Sequence, residues 1–82
     1  MNIFVANLDY DMRERELGEL FSLYGAVDSA KVITDKFTKK SKGFGFVEMP
    51  NEKEALSAIE DLNGSEFHGK DLVVKQANPR KD

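Results

Sequence analysis

The sequence predicts an α+β domain with the element order β-α-β-β-α-β. Three observations carry this: two stretches have apolar residues at helical spacing, four short stretches are rich in β-branched and aromatic residues, and Gly, Pro and Asn punctuate the joins. At 82 residues the chain has the size of one domain. That is small but sufficient to fold alone.

The elements follow in order. Residues 2–8, NIFVANL, predict a first strand. The period then changes, and Leu17, Leu20, Phe21 and Tyr24 fall on one helical stripe. Asp11 is the expected N-cap, with Glu14 three residues on as in a capping box, and Gly25 the expected stop. Residues 27–34, VDSAKVIT, predict the second strand, and a lysine-rich loop, DKFTKKSK, follows. Residues 43–49 predict the third strand, ended by Pro50. Asn51 with Glu54 repeats the capping pattern, Ala55, Ala58, Ile59 and Leu62 mark a second helix, and Asn63-Gly64 closes it. Residues 71–77, DLVVKQA, predict the fourth strand. The expected domain therefore spans residues 1–78, with a polar tail at 79–82.

This order is that of the ferredoxin-like split βαβ sandwich: a four-stranded antiparallel sheet with both helices on one face. Right-handed crossovers put the helices on the same side and leave the other side to water. The stretch KGFGFVEM at 42–49 fits such a one-sided sheet. Alternation sets Gly43, Gly45, Val47 and Met49 on one face and Lys42, Phe44, Phe46 and Glu48 on the other. Val47 and Met49 are expected to fill the core, and the two glycines to let the helices approach. In the first strand Ile3 and Val5 point inward, which turns Phe4 outward. With the first and third strands adjacent at the sheet centre, Phe4, Phe44 and Phe46 form one exposed patch, the mark of a binding surface.

IFVANL and KGFGFVEM resemble the two ribonucleoprotein motifs of the RNA recognition motif family. The second motif, Lys/Arg-Gly-aromatic-Gly/Ala-aromatic-Val-x-aromatic, holds at seven of eight places, the departure being Met49 on the core side. The likeness extends to LFSLYGAV, AIEDLNG and GKDLVVKQA, and so over nearly the whole chain, which is similar to the small stand-alone members found in bacteria, cyanobacteria included. The resemblance implies binding of single-stranded RNA, with single-stranded DNA left open. It implies that Phe4 and Phe44 each stack on a base, that Phe46 packs against the sugars between them and that Lys42 meets a phosphate. Lys31, Ile33, Val73 and Lys75 would flank the platform. Gln76, Ala77 and Asn78 would read base edges, and Arg80 is a further cation near the platform. No cofactor or metal is implied. The alternative is a protein-interaction module using the same aromatic face or the acidic helices.

Other features are read as structural. There is no cysteine, so disulfides, Cys-based zinc sites and thiol catalysis are excluded. No apolar run approaches membrane-spanning length, and MNIFVANL enters a strand-like pattern without a charged leader, so a cytoplasmic protein without a secretory signal is expected. The single histidine, His68, is expected in a surface loop, Tyr10 in a loop, Tyr24 against a helix, and Phe21 in the core. GFGF does not fit a dinucleotide loop, because Glu48 stands where the third glycine belongs. No nucleophile–base pair is visible, and Asp9 and Asp11 in the first loop would repel phosphate, so no enzymatic activity is expected. The net charge of −3 runs against a nucleic-acid partner until it is sorted by element. Glu52, Glu54, Glu60 and Asp61 crowd the second helix, whereas Lys36, Lys39, Lys40 and Lys42 lie in the loop beside the sheet. Stacking is expected to outweigh charge in binding.

Overall fold

A computed structural model describes residues 1–77 of the chain. Its elements are β1 (Asn2–Ala6), α1 (Glu14–Ser22), β2 (Ser29–Thr34), β3 (Ser41–Glu48), α2 (Glu52–Leu62), β4 (Glu66–Phe67), β5 (Lys70–Asp71) and β6 (Val73–Ala77). Four strands form one antiparallel sheet in the order β2-β3-β1-β6, and β4 and β5 form a separate two-stranded ribbon. The helices pack on one side of the sheet, α1 over β2 and β3 and α2 over β6. No helix among the described residues is long and apolar enough to cross a membrane.

The core is the layer between helices and sheet. Ile3 and Val5 from β1, Val47 and Met49 from the β3 region and Val74 from β6 meet Leu17 and Phe21 of α1 and Ala55, Ala58 and Leu62 of α2. Met49, which departs from the aromatic of the motif, is fully buried. An unbranched thioether fills irregular space well, so the departure changes the core and not the open face.

The two helix starts differ. Asn51 caps α2 as expected, its side chain accepting from the Glu54 backbone N–H at 3.0 Å. The expected capping box at Asp11 does not form. Arg13 is the N-cap of α1, with no side-chain cap hydrogen bond. Asp9 takes over the preceding turn: its carboxylate accepts from Asp11 N–H, and its carbonyl from Met12 N–H, each at 3.0 Å. Met12 just before the cap and Leu17 four residues after it are both buried, the two positions of a hydrophobic staple. Glu14 is drawn to β2 instead, where its carboxylate accepts from Val32 N–H at 3.0 Å.

The glycines of β3 have other neighbours than expected. A Cβ on Gly45 would collide with the backbone carbonyl oxygen of Lys31 in β2, next to the bulge between Val32 and Thr34, so the close approach is strand to strand. Gly43, at φ +84°, lies against the Leu8 carbonyl and the Tyr10 ring. Gly25 does not end α1; a Cβ there would strike the Glu54 side chain of α2. The β4–β5 ribbon was not anticipated. His68 and Gly69 join its strands with φ of +55° and +80°, the signs of a type I′ turn, with histidine where asparagine is the usual signal. The fourth sheet strand accordingly begins at Val73 and not at 71.

Two substitutions test this packing. Met49→Ala removes a fully buried side chain and is expected to cost about 2–5 kcal/mol, measured by denaturant unfolding. A melting curve equal to the parent's would mean that the strand register is shifted. Gly45→Ala is expected to destabilise by about 1–3 kcal/mol, as overpacking does, with the largest amide shifts at Lys31 and Val32.

Candidate nucleic-acid interface

Residues on the face opposite the helices fall into three cross-sheet rows. Phe44, Ala6 and Val73 align in the first; Lys31, Phe46, Phe4 and Lys75 in the second; Ser29, Glu48, Asn2 and Ala77 in the third. The order follows from chemistry: Ile3, Val5 and Val47 must face the helices, so period-2 alternation turns their neighbours the other way. The second row is two phenylalanines side by side with a lysine at each end.

The three rings touch one another. Phe4 lies 5.9 Å from Phe44 and 5.5 Å from Phe46, centroid to centroid, and Phe44 stands perpendicular to Phe46 at 6.4 Å and 88°. These are favourable tilted and edge-to-face arrangements. Phe46 is exposed at 39%, whereas Phe4 and Phe44 are half-buried. The patch is aromatic, its central row ends in the cations Lys31 and Lys75, and Lys42 is exposed near the start of β3.

Most of the expected site residues meet on this face. Ile33 adds to the β2 side, lining the same depression as Lys31 and Phe46. Val73 and Ala77 lie on the open face of β6. Gln76 does not: it pairs with Ile3, whose side chain is in the core, so the Gln76 side chain leaves the sheet on the helix side. The strand parity of VVKQA already contained that signal. Asn78 and Arg80 lie outside the described residues.

The lysine-rich loop has a built turn at its base. The Asp35 carboxylate accepts from the backbone N–H of Phe37 at 2.8 Å and of Thr38 at 3.1 Å, and Asp35 exchanges backbone hydrogen bonds with Lys39 and Lys40. These amides, above all that of Thr38, hold the Asp35 carboxyl below its ordinary pKa, with a smaller contribution from Lys42. The turn carries Phe37 at 95% exposure, an aromatic that reading the loop as merely polar passed over. Beyond the end of β1, His68 faces Asp9 at 3.8 Å and Glu16 at 3.3 Å. These partners are remote in sequence, so only the fold reveals them. Nearby, the Lys70 ammonium sits 4.5 Å from the Tyr10 ring centre.

The described geometry has counterparts among known proteins. The family model described as RNA recognition motif matches residues 3–73. RbpB of Nostoc sp. (strain PCC 7120), named as a candidate RNA-binding protein, is 45% identical over 82 residues, covering 100% of this chain and 80% of that protein. The crystal structure of RNA Binding Protein PG1 superposes with a TM-score of 0.95 at 54% identity, covering 100% of this chain and 99% of that one. A Sex-lethal protein/RNA complex superposes with a TM-score of 0.91 at 34% identity, covering 99% of this chain and 48% of that one.

The Asp35 turn gives a test by pH. Its pKa is lowered in the folded chain, so the turn is fully held above the ordinary value of 3.8 and is released only as pH falls through the lowered one. The amide resonances of Phe37 and Thr38 are expected to move together in that acidic window, below the titration of unperturbed aspartates. Asp35→Asn should abolish this shared step.

Proposed function

The chain belongs to the RNA recognition motif family, and on that basis we propose that it binds a short single strand of RNA by stacking bases on the open face of its sheet. The carrying observation is the row Lys31–Phe46–Phe4–Lys75, exposed on the side the helices leave bare. Aromatic rings stack on any base, at about 1–3 kcal/mol per base, and lysines at both ends of the row can follow the phosphates. Phe46 is the most open ring, so the bases are assigned to Phe4 and Phe46, while Phe44, edge-on to Phe46, packs against sugar. This exchanges the roles of Phe44 and Phe46 expected from the sequence. Lys42 holds a phosphate at the start of the platform, and Arg80, Asn78 and the backbone of Gln76 extend it.

The functional unit is proposed as one domain over residues 1–78, acting in the cytoplasm as a binding module and not as an enzyme. The first loop supports the last point, since the Asp9 and Asp11 carboxylates stand where an anion-activating cradle would need cations. Single-stranded DNA offers the same bases and phosphates, so discrimination rests on contacts to the 2′-hydroxyl. A protein partner on the helix side would meet Leu56, exposed on α2 among acidic residues.

Salt dependence separates stacking from charge. Each phosphate neutralised on a single strand adds about 0.7 to the log–log slope, so three lysine contacts give a slope of about −2. Lys42→Ala is expected to flatten that slope by about 0.7. Phe46→Ala is expected to weaken binding at every salt concentration with the slope retained and the melting temperature little changed. Fluorescence anisotropy with labelled RNA tetramers at several salt concentrations measures both. Loss of all binding near physiological salt, with Phe46→Ala without effect, would assign the association to the lysine loop alone.

A further inference from the structure

The third row, Ser29–Glu48–Asn2–Ala77, has no part in stacking. It lies two residues along each strand from the aromatic row, about 6.5–7 Å away. It borders an open depression of about 520 Å³ whose lining includes Asn2, Ser29, Lys31, Ile33, Phe46 and Glu48. A base stacked on Phe46 and leaning to that side overhangs the row with one of its edges.

Glu48 is out of place on a surface that receives a polyanion. It is exposed, and among the described residues its carboxylate enters no ion pair or side-chain hydrogen bond. Near phosphates it repels the ligand. A carboxylate offers acceptors only, so its favourable counterpart must be a donor, and in a nucleic acid the strongest donors are on the bases. Single strands expose those edges. Guanine presents N1–H and an N2 amino group side by side, which a carboxylate accepts as two parallel bonds. Adenine and cytosine present one amino group beside a ring acceptor. Uracil presents one N–H between two carbonyl oxygens, both repelled by a carboxylate.

The neighbours complete the edge. Asn2 stands directly across from Glu48 on β1, and Ser29 directly across on β2. Such cross-strand partners have Cβ atoms about 4.5–5.5 Å apart. An amide and a hydroxyl both donate, as the O6 of guanine requires.

Resting on the RNA-binding role above, we propose that Glu48, flanked by Asn2 and Ser29, makes the Phe46 position a guanine-selective subsite. One bidentate base contact discriminates by about 5- to 150-fold, and this is the preference expected for guanine over uracil there.

The test uses end-labelled RNA tetramers: UUUU, the variants carrying one G at each inner position, and the best of these with inosine in place of G. The full chain is expected to prefer one G-containing tetramer by at least fivefold. Inosine, which lacks the N2 amino group, is expected to bind between G and U. Glu48→Ala and Glu48→Gln should both erase the preference, and Glu48→Ala should raise the affinity for UUUU because a repelling charge is gone. If the tetramers bind through Phe46 but the Glu48 variants change all affinities alike, or keep the preference, the subsite is overturned and RNA binding stands. If no tetramer binds, or Phe46→Ala binds as well as the parent, the inference falls together with the function it rests on.

Discussion

Everything on the open face depends on the register between the two central strands. Ile3 lies across from Val47 and Phe4 across from Phe46. The first pair is buried and the second lies on the platform. Because side chains alternate with a period of two, a slip by one residue would exchange the faces. Burial of Ile3, Val5, Val47 and Met49 therefore fixes the position of the rings, although the rings add little to the core. Gly45 extends this control to β2: its missing side chain lets the Lys31 carbonyl come close, which brings Lys31 level with Phe46. The lysine at one end of the aromatic row is placed by a glycine on the opposite face.

Much of this was legible in the sequence, for a physical reason. Strand parity and helical period are properties of the chain's own geometry, so the split of KGFGFVEM into a wet and a dry side needed no coordinates. What stayed hidden was decided by competition between residues or by distant partners. Asp9 and Asp11 both suit a helix start, and only packing of Met12 into the core shows that Asp9 organises the turn. His68-Gly69 makes a hairpin because the fold tolerates a histidine at positive φ, whereas local preference points to asparagine or glycine. The Lys31 carbonyl opposite Gly45, and the two carboxylates beside His68, are contacts across the chain that no local pattern encodes. For Gln76, the parity of VVKQA by itself turns the side chain to the helix side and leaves the proposed contact to its backbone.

The charge distribution divides the molecule into a side that attracts and a side that does not. The acid of α2 lies behind the sheet, and Lys31, Lys42 and Lys75 lie around the rings. A net charge of −3 thus limits non-specific attraction to polyanions without removing the local field that orients one. Glu48 within the open face works in the same direction at shorter range, since it disfavours any strand that cannot offer it a donor. Both features shift the balance from affinity for any polyanion towards dependence on which bases are present.

The aromatic row draws its four members from positions 31, 46, 4 and 75, so it takes in most of the chain's length and all four strands. No excised hairpin or half-domain contains it, and an unfolded chain presents its rings without their alignment. Occupancy of the face and integrity of the fold are therefore thermodynamically linked. A ligand that recognises the row binds only the native state and stabilises it by mass action, by about 2.7 kcal/mol when its free concentration is one hundred times its dissociation constant. For so small a domain that is a large share of the stability typical of folded proteins, and its bound RNA becomes, in effect, part of its core.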